Sequence, residues 1–411
     1  MLAISPKVLL GWLSLLVIVA WGSAPARAGF TIRDLGVIVS SGTSGGEAIN
    51  AAGQVAGVAS NAAGTSVAAI FDGPKGTRTV TLPAGSGQSM ATGINAAGTA
   101  SGYYQNSQGV EHGFTDSGGT VTTLDALKVS GLSGTFTHAN GINGGGTVVG
   151  YGDLPSGGPI RAFFETSGGA ATIINPLGAG GFDKANGIND SGVVVGTSET
   201  SPGGLQHAFL TDLNHNATEL AGPTGRNPSG NFSANTYGTA IANNGDAVGY
   251  GDVGGSEHAF YASSAQGVGL VDLGVLAGTS SSLAEGVNDF GLVVGKLGVG
   301  FNPSNTRAFL WGASAGLFDL NGLISTSDRA HWVLTQANGI NDSDQISGVG
   351  LLDGVAHAFV LTPSNDGPRF SPAGSVPTPP SLVLSALGGL LVCGWSRRRF
   401  RRGRTGGRAA A

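Results

Sequence analysis

The sequence predicts an all-β chain: a seven-bladed β-propeller of four-stranded antiparallel blades, with the N-terminal strand closing the last blade and a short C-terminal helix beyond it. Three observations predict it. One turn motif recurs seven times, one strand motif recurs seven times in step with it, and an unmatched strand at the start fits a gap at the end.

The turn motif is a polar residue, a small residue, Ile and Asn. It reads Glu47-Ala48-Ile49-Asn50, Thr92-Gly93-Ile94-Asn95, Asn140-Gly141-Ile142-Asn143, Asn186-Gly187-Ile188-Asn189, Thr239-Ala240-Ile241-Ala242, Glu285-Gly286-Val287-Asn288 and Asn338-Gly339-Ile340-Asn341, at intervals of 45, 48, 46, 53, 46 and 53 residues. Each copy runs into a turn ending in Gly53, Gly98, Gly146, Gly192, Gly245 or Gly291, with Asp344 in the last. A type I turn closing on a left-handed residue needs that chemistry. A β-branched pair and glycine follow, as in Val148-Val149-Gly150.

The strand motif begins 16 to 19 residues after the first ends: Ala68-Ala69-Ile70-Phe71, His112-Gly113-Phe114-Thr115, Arg161-Ala162-Phe163-Phe164, His207-Ala208-Phe209-Leu210, His258-Ala259-Phe260-Tyr261, Arg307-Ala308-Phe309-Leu310 and His357-Ala358-Phe359-Val360. A fourth short strand comes next, such as Leu270-Val271-Asp272-Leu273-Gly274, so four strands in about 48 residues make one blade. The seventh copy ends without a fourth strand, whereas Phe30-Thr31-Ile32-Arg33-Asp34-Leu35-Gly36 stands alone at the start. Pairing these two leaves no exposed edge.

Composition agrees. There are 74 glycines in 411 residues with no Gly-x-y period, which excludes collagen, and regular apolar clusters argue against disorder. The sole cysteine, Cys393, lies in the tail, so no disulfide can staple the body. With the ends set aside, 11 basic residues face 25 acidic ones, and the body 29–395 is near −14. Such a charge repels duplex nucleic acid, which is not expected as a partner.

The ends predict export. Residues 1–28 read as a signal peptide, with Lys7, an apolar run from Val8 to Trp21 and Ala26-Arg27-Ala28 as the cleavage pattern. After the propeller at 29–364 come a Pro/Gly/Ser linker at 365–380, an apolar sorting helix at 381–395 and a basic tail at 396–411. Fifteen apolar residues span about 22 Å against a hydrocarbon core of ~30 Å, so 381–395 suits a transient membrane association. The arginines stay cytoplasmic and the body lies outside the inner membrane, extracellular or at the cell surface.

The His-Ala-Phe-Leu strand after a Gly-Ile-Asn-x-x-Gly-x-Val-Val-Gly turn resembles the bacterial extracellular HAF-repeat family over nearly all of 29–364. The C-terminus resembles the PEP-CTERM sorting signal, with Thr378 where that pattern has glutamate. This second resemblance implies handling by an exosortase in a Gram-negative, exopolysaccharide-producing bacterium, while signal peptidase is the partner expected at Ala26-Arg27-Ala28.

Candidate chemistry is sparse. Positions shared by histidine and arginine (His112, His207, His258, His357, Arg161, Arg307, with Ala68 in the first copy) read as donors tying neighbouring loop carbonyls. Metal-ligand spacing is absent, the aspartates Asp190, Asp289 and Asp342 read as turn formers, and neither metal nor cofactor is expected. The sharper candidate is the polar position of the turn motif: Glu47, Thr92, Asn140, Asn186, Thr239, Glu285 and Asn338. Each follows a small residue (Gly46, Ala91, Ala139, Ala185, Gly238, Ala284 or Ala337), as an innermost strand requires, and together they would ring an axial channel. Such a ring either bonds glycan hydroxyls or caps turns and holds channel water.

A non-catalytic surface or matrix protein binding extracellular polysaccharide or a surface protein is therefore expected, with variation in loops 223–235 and 298–306. The alternative is a propeller hydrolase or lyase acting on polysaccharide. It would require converging catalytic groups, and the Glu47 and Glu285 positions stand two blades apart.

Overall fold

Every repeat folds as a four-stranded antiparallel sheet, and seven such sheets are the blades of a β-propeller. This computed structural model describes residues 29–364 apart from 74–75, 125–127, 130–131, 155–157, 167–170, 179–180, 213, 221–231, 233, 265–268 and 299–304. The expected signal peptide, the linker, sorting helix and basic tail, and most of both variable loops lie outside the described residues. No helix among the described residues is long and apolar enough to cross a membrane.

Blades 1 to 6 take their four strands in chain order. Blade 3 is representative, with Thr137–Ile142 innermost, then Val148–Asp153, Ile160–Glu165 and Thr172–Ile173. Blade 7 contains Trp332–Ile340, Ile346–Leu352 and Val355–Pro363, and its fourth strand is Phe30–Asp34. That strand runs antiparallel to Val355–Pro363, with Phe30 opposite Pro363 and Asp34 opposite Phe359.

Glycine and phenylalanine at paired positions explain the blade. Gly150, Gly196, Gly249, Gly295 and Gly348 each stand across from the motif phenylalanine of the next strand: Phe163, Phe209, Phe260, Phe309 and Phe359. A Cβ on any of these glycines would land on the carbonyl oxygen of the innermost strand. Only glycine lets the pleat lie that close, and in blades 4 to 7 the vacant side-chain position is filled by the phenylalanine ring. These rings are at most 1% exposed.

The core is correspondingly divided into layers between blades. Among the described residues, seven apolar clusters occupy the seven blade-to-blade interfaces, including one joining Ala358 and Val360 of blade 7 to Val55 and Phe71 of blade 1.

Register corrects one alignment. Gly57 faces Ala69, and the Ala68 amide donates to Ser89 Oγ as the Ala358 amide does to Ser44 Oγ. Blade 1 is thus offset by one: Val67, not Ala68, occupies the histidine position.

The histidine and arginine positions also differ from expectation. Four of them meet carboxylates on the fourth strand of the same blade, His207 with Glu219 at 2.7 Å, His258 with Asp272 at 3.1 Å, Arg307 with Asp319 at 3.2 Å and His357 with Asp34 at 3.0 Å, while His112 Nε2 lies 3.0 Å from Asn106 Nδ2. Arg161 alone reaches a loop carbonyl, at Gly181, and it also bonds Asp183 at 2.8 Å. The carboxylate partner recurs because an acidic residue precedes the leucine of the fourth strand in those four blades, as Glu219-Leu220, Asp272-Leu273, Asp319-Leu320 and Asp34-Leu35.

Candidate functional site

The turn asparagines knit neighbouring blades at one end of the axis. Asn143 Oδ1 accepts from the Thr147 amide at 2.9 Å, which shapes the turn, while its Nδ2 donates to the Asn189 carbonyl at 3.1 Å. The same link runs from Asn50 to Asn95, Asn95 to Asn143, Asn189 to Ala242 and Asn288 to Asn341, and Asn341 donates to the Asn50 carbonyl at 2.9 Å. Ala242 has no such donor, and there the Asn243 and Asn244 amides donate instead to Asp289 Oδ1 at 2.6 and 3.1 Å. Asp190 and Asp342 likewise accept turn amides of adjacent blades, from Gly144 and Asp289. Asp344 adopts the left-handed turn conformation at φ 56°. Among the described residues no group of three or more His, Cys, Asp or Glu is placed to hold a metal.

The seven polar candidates do meet. Glu47, Thr92, Asn140, Asn186, Thr239, Glu285 and Asn338, joined by Gln336, line an axial cavity of about 270 Å³. The reason is a β-bulge repeated in every blade. In blade 3 the register passes from Ala139 to Gly141 and skips Asn140; Glu47, Thr92, Asn186, Thr239, Glu285 and Asn338 are skipped in the same way. A bulge residue has no cross-strand partner and re-aims its side chain, here toward the axis. The preceding Ala91, Ala139, Ala185, Ala284 and Ala337 are fully buried, as converging strands require. Gln336, paired with Val349, holds in blade 7 the position that Met90, His138 and Tyr237 hold in blades 2, 3 and 5.

Five ring residues staple one blade to the next. Thr92 donates to the Ala139 carbonyl at 2.9 Å, Asn140 to Ala185 at 2.8 Å, Asn186 to Gly238 at 2.7 Å, Thr239 to Ala284 at 2.8 Å and Asn338 to Gly46 at 2.8 Å. The glutamates are held differently. Glu285 Oε1 is 3.1 Å from Lys296 Nζ, and Glu47 Oε2 accepts from Asn338 Nδ2 at 3.0 Å.

Burial, then the Glu285 charge, push the Glu47 carboxyl up to about 7, with Lys296 opposing. Burial also raises Glu285 against the pull of Lys296. Both glutamates lie deep in the molecule yet keep partial access to solvent along the channel. Because the folded value of Glu47 exceeds its ordinary 4.5, stability is fully present below that pH and falls as pH rises through about 7. Glu47→Gln is therefore expected to match the parent in urea unfolding near pH 4 and to exceed it by about 1–3 kcal/mol near pH 8.

A second tier of side chains, missed in the sequence, rims the mouth on the side away from the asparagine turns. Tyr103, Tyr151, Tyr250 and Lys296 each follow the strand glycine, opposite Met90, His138, Tyr237 and Leu283. Tyr103 stacks on His138 at 3.9 Å between centroids and His138 on Tyr151 at 4.7 Å, with Lys184 Nζ 4.3 Å from the Tyr151 ring centre. Tyr237 stacks on Tyr250 at 4.8 Å. His138 Nδ1 lies 2.9 Å from Glu111 Oε2; burial pushes the imidazole down, against Glu111, so the neutral ring donates from Nδ1. Burial raises Tyr151 to about 12, which keeps its hydroxyl protonated. Among the described residues no group bonds the hydroxyls of Tyr103, Tyr151, Tyr237 or Tyr250. The signal was present: after Gly57, Gly102, Gly150, Gly196, Gly249, Gly295 and Gly348 the next residue is Val, Tyr, Tyr, Thr, Tyr, Lys and Val in turn, so the glycine is constant and its follower is not.

No family model matches the chain, and no curated protein matches it. Solved structures similar to it include virginiamycin B lyase from Staphylococcus aureus, at 9% identity over 81% of this chain and 99% of that one with a TM-score of 0.43. TolB from Acinetobacter baumannii is 14% identical with a TM-score of 0.41 over 76% of this chain, which spans only 64% of TolB. The six-bladed fucose-recognising lectin of Aleuria aurantia is 14% identical over 85% of this chain and all of its own, with a TM-score of 0.33. At these identities the likeness concerns the fold alone.

Proposed function

We propose that this protein is an exported, non-catalytic surface or matrix component whose tyrosine-rimmed mouth binds a glycan. The observation that carries the reading is one opening with two tiers: half-buried aromatic rings with free hydroxyls above, amides, hydroxyls and carboxylates below. A sugar presents the complement, apolar C–H faces and hydroxyls that both donate and accept. The export address rests on the chain ends read from sequence, and the HAF-repeat and PEP-CTERM resemblances support the same setting.

We also infer that the Phe30–Asp34 strand keeps the ring shut. The link from Asp34 onward repeats an ordinary junction: the Gly36 amide donates to Asp34 Oδ1 and Ser44 Oγ to the Gly36 carbonyl, as Gly274, Asp272 and Ser282 do after blade 5.

The enzyme alternative keeps one observation in its favour, since Glu47 and Glu285 share a cavity. A single experiment separates the two. The purified chain, offered to a glycan array and to a polysaccharide hydrolysis and lyase screen, is expected to retain one class of glycan without turnover. Tyr151→Ala and Tyr250→Ala are expected to lower that affinity at least tenfold. Product formation abolished by Glu47→Gln or Glu285→Gln would replace the binding reading with the enzymatic one.

A further inference from the structure

The ring is uniform in geometry but not in hydrogen-bonding sense. Thr92, Asn140, Asn186, Thr239 and Asn338 all spend a donor on a carbonyl of the following blade. An ionised carboxylate has no proton to give. Where Glu47 and Glu285 occupy the bulge, no side chain of the described residues donates to the matching carbonyls of Ala91 and Ala337.

The two departures are not scattered. Glu285 belongs to blade 6 and Glu47 to blade 1, so they flank blade 7 and turn one arc of the wall into acceptors. Asn338 of blade 7 serves Glu47 through Nδ2, and its Oδ1 accepts from Gln336 Nε2 at 2.7 Å. Lys296 is the cation at this arc, already bonded to Glu285. With both carboxylates ionised, one ammonium therefore faces two negative charges. Across the cavity, Asn140, Asn186 and Thr239 carry no charge; the donors of Asn140 and Thr239 are engaged, and Asn186 spends one of its two on Gly238.

Resting on the glycan reading above, we infer that this arc selects sugars bearing a free, protonated amine, as in a hexosamine residue without its N-acyl group. An ammonium brings one positive charge and three donors, which suits two carboxylates and the neighbouring carbonyls. A neutral hydroxyl makes only an uncharged hydrogen bond there, and an uronate or sulfate is repelled. The groups facing Glu47 are Glu285, Lys296, Asn338 and Tyr103. A cation entering among them lowers the Glu47 proton affinity, so binding near pH 7 releases part of a proton.

Calorimetric titration of the purified chain with tetramers of glucosamine, N-acetylglucosamine and glucose tests this, in two buffers of different ionisation enthalpy. The glucosamine tetramer is expected to bind at least tenfold more tightly than the other two and to release protons. Glu47→Gln and Glu285→Gln are expected to remove the preference while keeping the parent circular-dichroism spectrum. Lys296→Met, which deletes the competing cation, is expected to strengthen it. Equal affinity for all three sugars overturns the amine inference and leaves the glycan reading standing. A preference that survives both glutamine variants and fades only with salt overturns it as well, because it then reflects the acidic body at large. Failure of every sugar here and on the array removes both.

Discussion

Phe30→Ala is expected to lower the unfolding free energy by about 3–5 kcal/mol, because it deletes a large ring from a closed apolar layer. Phe30 is 2% exposed and packs in the cluster that contains Leu320, Ile324, Trp332, Phe359 and Leu361. Most propeller side chains are held by strands adjacent in sequence. Phe30 instead lies on the strand that joins the two ends of the described fold, so its loss weakens the packing that seats this strand on Val355–Pro363. Removing residues 29–36 altogether is expected to abolish cooperative unfolding and to produce soluble oligomers, seen as a shift in size-exclusion volume with light scattering. A monomer of parent stability after that deletion would show that the strand is an ornament of blade 7.

The second large effect is expected at the glycine and phenylalanine pair. Phe309→Ala should cost about 3–5 kcal/mol, since the ring is completely buried and its vacancy is walled by packed strands. Gly295→Ala should cost a comparable amount by overpacking, at or above the ~1–3 kcal/mol typical of added methyl groups. Its Cβ would strike the Leu283 carbonyl and stand 2.7 Å from Phe309 Cε1. The double variant is expected to be less destabilised than the sum, because removing the ring relieves one of the two clashes but not the other. Urea denaturation of the four proteins gives the coupling directly. Full additivity would mean that the glycine is conserved in the pattern for a reason other than the ring opposite it.

How much of this was legible follows from what repeats. Strand order, the inner-strand placement of the polar position and the small residues before it came from periodicity, because seven copies make one motif readable against noise. The one-residue offset of blade 1 was not legible: Ala68 and Ala69 resemble each other, and only the pairing of Gly57 with Ala69 separates them. The bulge at the ring was hidden too, since Ala139-Asn140-Gly141 has the composition of an ordinary strand beside a turn. Without the bulge, the stapling of Asn140 to Ala185 could not be foreseen. The rim of Tyr103, Tyr151 and Tyr250 escaped for the opposite reason. A search for what recurs passes over positions that vary, and binding surfaces are built from such positions.

The nonuniform hydrogen bonding of the ring gives variation a chemical meaning. Five blades use the bulge side chain to hold the ring together, and two place carboxylates there instead. On the function proposed, stability and recognition draw on the same seven positions: changing an asparagine weakens a staple, and changing a glutamate alters the charge that the proposed ligand meets.

The closure of the seven blades into a circle, inferred above from the Phe30–Asp34 strand, is tested most directly by a disulfide trap. The body 29–364 contains no cysteine, and Thr31 stands opposite Thr362 on exposed, paired backbone, with Thr31 Oγ1 donating to the Thr362 carbonyl at 3.2 Å. With Cys393 replaced by serine, the pair Thr31→Cys and Thr362→Cys is expected to oxidise completely within one chain, read by peptide mass mapping, and to raise the unfolding midpoint. Free thiols, or disulfides formed only between chains, would contradict the closed ring.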